Sequence, residues 1–267
     1  MARAWTNEEK NLFRKEMIEL YVTRNLALKE ISSLIKISES TVFDRLRRLG
    51  IKTRPERKTG YRNKRNDVRL PGRSARLAEF LGIMLGDGHL SHFQVVVTLG
   101  SKELPYVQYV QNLMMELFSV DARISTRKSN YRDVYIGSTL ITSWLKSQGL
   151  VENKVAAQVG VPDWIFGKTS YMKSFVRGFF DTDGSVYALT FGIQLSFTNH
   201  SRPLLNSLHK MLKALGYNPS RVGKHNFYLT RRSELNRFFK EIVPANRKHQ
   251  KRYRVISEKL LRRYPSG

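Results

Sequence analysis

Two short stretches of this sequence each end on an aspartate followed by glycine, and they match one another. Leu77 to Leu90 reads LAEFLGIMLGDGHL and Lys173 to Val186 reads KSFVRGFFDTDGSV, with Gly82 matching Gly178, Asp87 matching Asp183 and Gly88 matching Gly184 at one offset of 96 residues. Each stretch is apolar on several sides, the pattern of a helix buried all round. Ala78, Gly82, Gly86 and Gly178 are small enough to let two such helices approach closely. A buried helix pair that delivers one carboxylate per copy sets Asp87 and Asp183 side by side. Two close carboxylates repel, and burying them uncompensated is unfavourable, so a divalent cation is their natural companion. Hard oxygen donors select Mg²⁺. A single Asp-Gly is an ordinary turn after a helix; its duplication at matched positions is what points to chemistry.

The elements that must position these acids are repeated as well. After each motif comes a strand pair, ending Val95-Val96-Val97-Thr98 in the first copy and Leu195-Ser196-Phe197-Thr198 in the second. A helix follows, from Leu104 to Phe118 and from Pro203 to Leu215. A second strand pair is expected over Ala122 to Ile136 and over Arg221 to Thr230. A last helix closes each copy, Leu140 to Gln148 and Glu234 to Ile242. The expected fold is therefore α+β, two αββαββα repeats over residues 74–165 and 166–267.

Ahead of the repeats, residues 1–51 read as three short helices. Leu12, Phe13, Met17, Leu20 and Tyr21 recur at helical spacing in the first, and Leu28, Ile31, Leu34 and Ile35 in the second. Ser38 is placed to cap a third helix running from Thr41 to Leu49 and stopped by Gly50. This small all-α domain resembles the helix-turn-helix of recombinases and transposases, which lays its third helix in the major groove. Glu39, Ser40, Thr41, Arg45 and Arg48 are the candidate DNA contacts, and Val42, Leu46 and Leu49 should be buried. Residues 52–73 carry nine Lys or Arg against Glu56 and Asp67, with little apolar periodicity. Such a basic linker, including Arg62 and Lys64, is suited to tracking phosphates.

The whole-chain composition agrees. Lys and Arg number 47 against 22 Asp and Glu, a formal charge of +25 that self-repels unless a polyanion neutralises it. Hydrophobic residues make up 41% of the chain, enough for a real core rather than a disordered basic tail. The absence of cysteine excludes disulfide scaffolds and thiolate zinc sites, and no pair of histidines has zinc spacing. No stretch reads as a membrane span or a targeting signal, so the expected location is intracellular, in the cytoplasm or nucleoid, with duplex DNA rather than a small molecule as partner. Along the strands Arg123, Arg127, Arg132, Gln94, Gln194, Arg221, Lys224, Tyr228 and Arg232 are candidate contacts, about half of which alternation should turn toward DNA.

From about Ala75 to the C-terminus the sequence resembles a LAGLIDADG homing endonuclease of the monomeric, two-repeat type. The junction Gly149-Leu150 to Lys154, then Val161-Pro162-Asp163-Trp164-Ile165, is similar to the connection between repeats in that family. The resemblance implies a pseudo-two-fold saddle of antiparallel sheets over the DNA major groove. It implies metal-dependent phosphodiester hydrolysis with short 3′ overhangs, on a long asymmetric target and by a monomer. Asp87 and Asp183 become the metal-binding acids, with the carbonyls of Gly86 and Thr182 as secondary ligands. Lys154 and, in the second repeat, Lys248 or Arg247 take the place of the basic residue beside each scissile phosphate. Asn199 matches the family's water-positioning polar residue, where the first repeat has apolar Leu99. Leu85 stands where the second repeat has Asp181, an acid that does not ligate metal in the family. A DNA-binding regulator that no longer cuts would share the fold, and survival of both motif acids favours the nuclease over it. An RNA maturase would share the fold and often the same acids, and there it is the helix-turn-helix that favours duplex DNA. A chain without cysteine that starts at Met1 argues against a self-splicing intein.

Overall fold

In the computed structural model, residues 5–53, 67–126 and 130–263 are described, and the chain divides into two compact units, 1–61 and 62–267.

The first unit is built on three helices whose ends are chemically specified. Helix α1 (Asn7–Met17) starts at Thr6, whose hydroxyl accepts from the Glu9 N–H at 3.2 Å while the Glu9 carboxylate accepts the Thr6 N–H at 2.9 Å. The chain continues through a wider π-type turn over Ile18–Thr23. Helix α2 (Leu28–Ile35) ends on Lys36 in the left-handed region, φ 53°, which produces the sharp turn into the next helix. Helix α3 (Glu39–Arg48) is capped by Ser38, which accepts the Thr41 N–H at 3.2 Å. Gly50, φ 66°, closes it, and Ile51 N–H donates to Leu46 O. Met17, Tyr21, Ile31, Val42 and Leu46 form this unit's own core, with Leu49 packed at its edge. Leu12 and Leu34 fit the helical period but are 67% and 60% exposed, since a stripe this small cannot cover every apolar residue.

The second unit opens with helix α4 (Ala75–Gly86), capped by Ser74, then strands β1 (Gly88–Leu90) and β2 (Gln94–Gly100) and helix α5 (Leu104–Phe118). Strands β3 (Arg123–Thr126) and β4 (Tyr131–Gly137) and helix α6 (Thr139–Ser147) complete the first repeat. Its antiparallel sheet has the order β1-β2-β4-β3. The second repeat runs through helix α7 (Thr169–Asp183), strands β5 (Gly184–Leu189) and β6 (Gly192–Thr198), helix α8 (Arg202–Ala214), strand β7 (Asn226–Leu229) and helix α9 (Arg232–Glu241). Helix α10 (Arg247–Arg263) follows it.

The second sheet has three strands, β5-β6-β7, so the strand expected from Arg221 does not form. Gly223 N–H bonds to Asn226 O, but Ser220 N–H bonds to Tyr228 O, leaving one extra residue on the Ser220 side. A bulge of this kind breaks the ladder. Arg221 and Lys224 therefore lie in the loop before β7, and Arg232 is the first residue of α9, not a strand residue. A further correction concerns Arg132. It shares the core-facing side of β4 with buried Val134 and Ile136, because side chains alternate along the strand.

The two repeats join along α4, buried from Leu77 to Gly86, and the face of α7 that carries Phe175, Gly178 and Phe179. A Cβ at Gly82 would run into the Phe175 carbonyl, and one at Gly178 into the Glu79 carbonyl, so these glycines set how closely the helices approach. Phe80, Leu81, Ile83, Phe175, Val176 and Phe179 fill the surrounding core.

Candidate active site

The close approach of α4 and α7 carries through to their last residues. Asp87 ends α4 and Asp183 ends α7, and both are half-buried. Burial, and next the negative charge of Asp183, push the Asp87 carboxyl up to about 6, while Lys154 and Lys248 pull it back. Burial also raises Asp183, opposed by a hydrogen bond from Asn199 and by the charges of Lys154 and His200. The structure thus brings Asp87, Asp183, Lys154, Lys248 and Asn199 to one place.

Each partner is held by a different element. Asn199 lies just past β6, 9% exposed; its Nδ2 donates to Asp183 Oδ2 at 2.8 Å and its Oδ1 accepts the Ser201 N–H at 2.8 Å. Leu99, at the matching place in β2, is 3% exposed and offers no donor to Asp87. The ammonium of Lys154 donates to the carbonyls of Met84 (3.2 Å), Gly88 (2.9 Å) and Gly86, tying the junction between repeats to the end of α4. Lys248 pairs with Glu103 at 3.1 Å, and Asn246 donates to the same carboxylate at 2.5 Å. Glu103, which precedes α5 in the first repeat, thereby positions the basic residue that follows the second. Nothing in the sequence marks it, since its partners lie more than 140 residues away.

Asp181 has a separate task. Its carboxylate accepts the N–H groups of Ala245 (2.9 Å) and Asn246 (3.0 Å) at the start of α10, so it holds that helix and not a cation. In the first repeat, residues 154–158 form a turn where the second has α10, and buried Leu85 needs to hold nothing.

His249, on α10, packs on Phe180 at 4.7 Å with its Nε2 3.3 Å from Asp181 O. Burial, with Lys248 and Arg252 adding to it, lowers this imidazole to about 4. The folded protein therefore resists a proton that the unfolded chain accepts near pH 6.5, so stability falls as pH drops from 6.5 toward 4. Neighbouring Asp181, raised by burial to about 7, works the other way. Their effects separate in His249→Gln. Between pH 7 and pH 4 it should gain about 3 kcal/mol relative to the wild type, measured by urea unfolding. A difference independent of pH would mean the imidazole is not held neutral.

The donors fit a hard divalent cation. Asp87 and Asp183 supply two carboxylates, and no group of three His, Cys, Asp or Glu side chains gathers to make a closed protein cage among the described residues. Two carboxylates plus backbone and phosphate oxygens is the donor set that Mg²⁺ takes. The Gly86 carbonyl already accepts from Lys154, so a cation there would share it. The Thr182 hydroxyl donates back to Phe179 O at 2.9 Å.

The proposed DNA contacts divide by environment. Ser40, Thr41 and Arg48 are exposed on α3, with the Arg48 guanidinium 5.2 Å from the Trp5 ring. Arg45 is half-buried, stacked over Phe13 at 4.0 Å and 3.6 Å from Glu16, and so braces α3 against α1. Arg123 lies on the open face of the first sheet, opposite Tyr135, and Gln194 lies opposite Tyr187 on the open face of the second. Arg221, Lys224 and Arg232 are exposed outside the strands. Arg62, Lys64 and Arg127 lie outside the described residues. A cleft of about 780 Å³ between the start of α5 and α10 is lined by Lys102, Arg247, Lys248, Lys251 and Arg254. Among the described residues, no helix is long and apolar enough to cross a membrane.

Residues 170–265 match the family model described as a LAGLIDADG-like domain. Among curated proteins, a replication factor C small subunit of Thermococcus kodakarensis is 34% identical over 114 residues, 41% of this chain and 12% of its own length. The same subunit of Methanocaldococcus jannaschii is 30% identical over 112 residues, 41% of this chain and 6% of its own. The chain thus spans only a small part of these relatives. Similar solved structures include the homing endonuclease I-WcaI bound to its DNA recognition sequence, 13% identical, covering 66% of this chain and 86% of that one with a TM-score of 0.48. Another is I-DmoI in complex with DNA and Mn, 16% identical, covering 63% and 96% with a TM-score of 0.46. A third is the N-terminal LAGLIDADG domain of DUF199/WhiA, 19% identical, covering 65% and 84% with a TM-score of 0.46. The second repeat is thus similar to a LAGLIDADG-like domain, and the first repeat reproduces its helix-ending aspartate at the same seam.

Proposed function

We propose that this protein is a site-specific DNA endonuclease that hydrolyses one phosphodiester in each strand of a long, asymmetric duplex target, with Mg²⁺, leaving short 3′ overhangs. The observation that carries this reading is the pair of half-buried carboxylates, one from each repeat, meeting where two lysines converge. A bound divalent cation supplies Lewis acidity toward a phosphoryl oxygen and a more acidic water. Asp87 and Asp183 would hold it. Lys154 and Lys248 bring positive charge to where a phosphorane gains negative charge. Asn199 fixes the orientation of Asp183 and has no equivalent beside Asp87, so the two strand cuts are served by different surroundings. Both repeats lie in one chain and their open sheet faces differ, which suits a monomer on a target without two-fold symmetry.

The direct test is incubation of the protein with a randomised duplex library and Mg²⁺, followed by sequencing of the new ends. One recurrent sequence cut in both strands, and no cutting in EDTA, is expected. Enrichment by binding with no ends produced would instead support a regulator.

The first unit and the basic linker should add affinity on one side of the cut. Removing residues 1–73 takes away nine linker cations with the helices. Each phosphate that is then no longer neutralised should flatten the salt dependence by about 0.9 in log–log slope. Weaker binding, a shallower slope and an unmoved cut are expected. Within the linker, Arg62→Ala and Lys64→Ala should weaken binding to all sequences alike. Unchanged footprints and slopes would assign the unit to something other than the target.

A further inference from the structure

The outward stripe of α3 differs from the one its sequence suggests. Val42 and Leu46 face the core, and Arg45 is occupied by Phe13 and Glu16. What remains outermost is Ser40, Phe43, Asp44 and Arg47, all exposed and spaced i, i+3, i+4, i+7 along one face. Phe43 is the anomaly: a large apolar ring, 42% exposed, in the middle of a polar and charged stripe. It contributes nothing to the unit's core, which closes over Met17, Tyr21, Ile31, Val42 and Leu46.

We infer that Phe43 is a base-reading residue that contacts the C5-methyl group of a thymine in the major groove. The inference rests on the proposed DNA-binding role of the first unit. Duplex DNA is the favoured occupant because the last turn of α3 carries Arg45, Arg47 and Arg48 in a chain of net charge +25. In the major groove the thymine methyl is the one apolar feature a base edge presents, and an aromatic ring is a side chain that can cover it. Asp44, beside Phe43, is matched to the amino group of cytosine and repels phosphate, which keeps this part of the helix over bases and not along the backbone. Arg47 then takes the place that the sequence suggests for Arg45.

The test uses the full chain and duplexes selected by it from a random library. In the selected flank, each thymine is replaced in turn by deoxyuridine, which lacks only the methyl group. At one position wild-type binding should weaken about fourfold, the value of one buried methylene-sized group. Phe43→Ala should bind the thymine duplex less tightly and be indifferent to the same replacement, and Phe43→Leu should keep part of the preference. Selected duplexes bound equally with and without every methyl would overturn the assignment of Phe43 while leaving DNA binding by the unit intact. A flank with no sequence preference at all would overturn both, and would turn the exposed ring into a candidate protein contact.

Discussion

Asp183→Asn is expected to lower the rate of double-strand cleavage by about 10³-fold or more, with duplex binding reduced only severalfold. Asp87→Asn should do the same. The two acids come from different repeats yet stand close enough for the charge of Asp183 to push the Asp87 carboxyl up. Removing either carboxylate leaves a cation site with half its protein charge, so both strand cuts should suffer. Asparagine keeps the shape of aspartate and sits as well at the end of a helix, so folding is a small part of the change. Asn199→Leu separates the strands. It gives the second repeat the residue found in the first and deprives Asp183 of its 2.8 Å hydrogen bond. The expected effect is about tenfold, the size of one charge-assisted hydrogen bond, and unequal between strands, so a nicked intermediate should accumulate. End-labelled duplex resolved on denaturing and native gels reads both effects. Wild-type cleavage by either Asp→Asn variant would end the assignment of these acids.

The parts of this arrangement that are legible in the sequence are those fixed by local pattern or by repetition. The motif helices, their glycine contacts and the carboxylate at each end follow from two copies of one short pattern, which no single copy could establish. Ser38 and Gly50 bracket α3 as their types predict, because caps act within a few residues. What escapes depends on contacts between distant segments. Glu103 and Lys248 meet across 145 residues. Asp181 caps a helix that begins more than 60 residues later. The bulge that removes a strand before β7 turns on one extra residue in a hairpin arm, too small a change to alter the alternation of apolar residues. Arg45 and Arg132 depart from expectation for a shared reason: a long cationic side chain can lay its stem on apolar surface, so composition alone does not say which face it occupies.

A second buried charge cluster lies on the seam between repeats and predicts a large effect of another kind. Glu79, fully buried on α4, accepts hydrogen bonds from Arg177 of α7 and from the Tyr109 hydroxyl of α5, and lies 3.4 Å from Arg76. Arg76 in turn holds Glu116 of α5 at 2.6 Å. Glu79 precedes Asp87 by eight residues, about 12 Å along the helix, too far to touch the reacting phosphate. Breaking a buried pair by deleting one partner strands the other charge, which costs about 3–5 kcal/mol. Glu79→Ala should therefore lower the melting temperature by roughly 10 °C, given the size of this unit. Glu79→Gln, which keeps the volume and can still accept one hydrogen bond, should lose less. Replacing Glu79 and Arg177 together by Met and Leu should recover much of the loss, since apolar residues of similar volume fill such a seam without an uncompensated charge. Cleavage per folded molecule, measured well below the transition, should stay near wild type in all three. Calorimetry of the four proteins decides the matter: a Glu79→Ala protein as stable as wild type would show that glycine packing alone holds the repeats together, with the ions contributing nothing to the join.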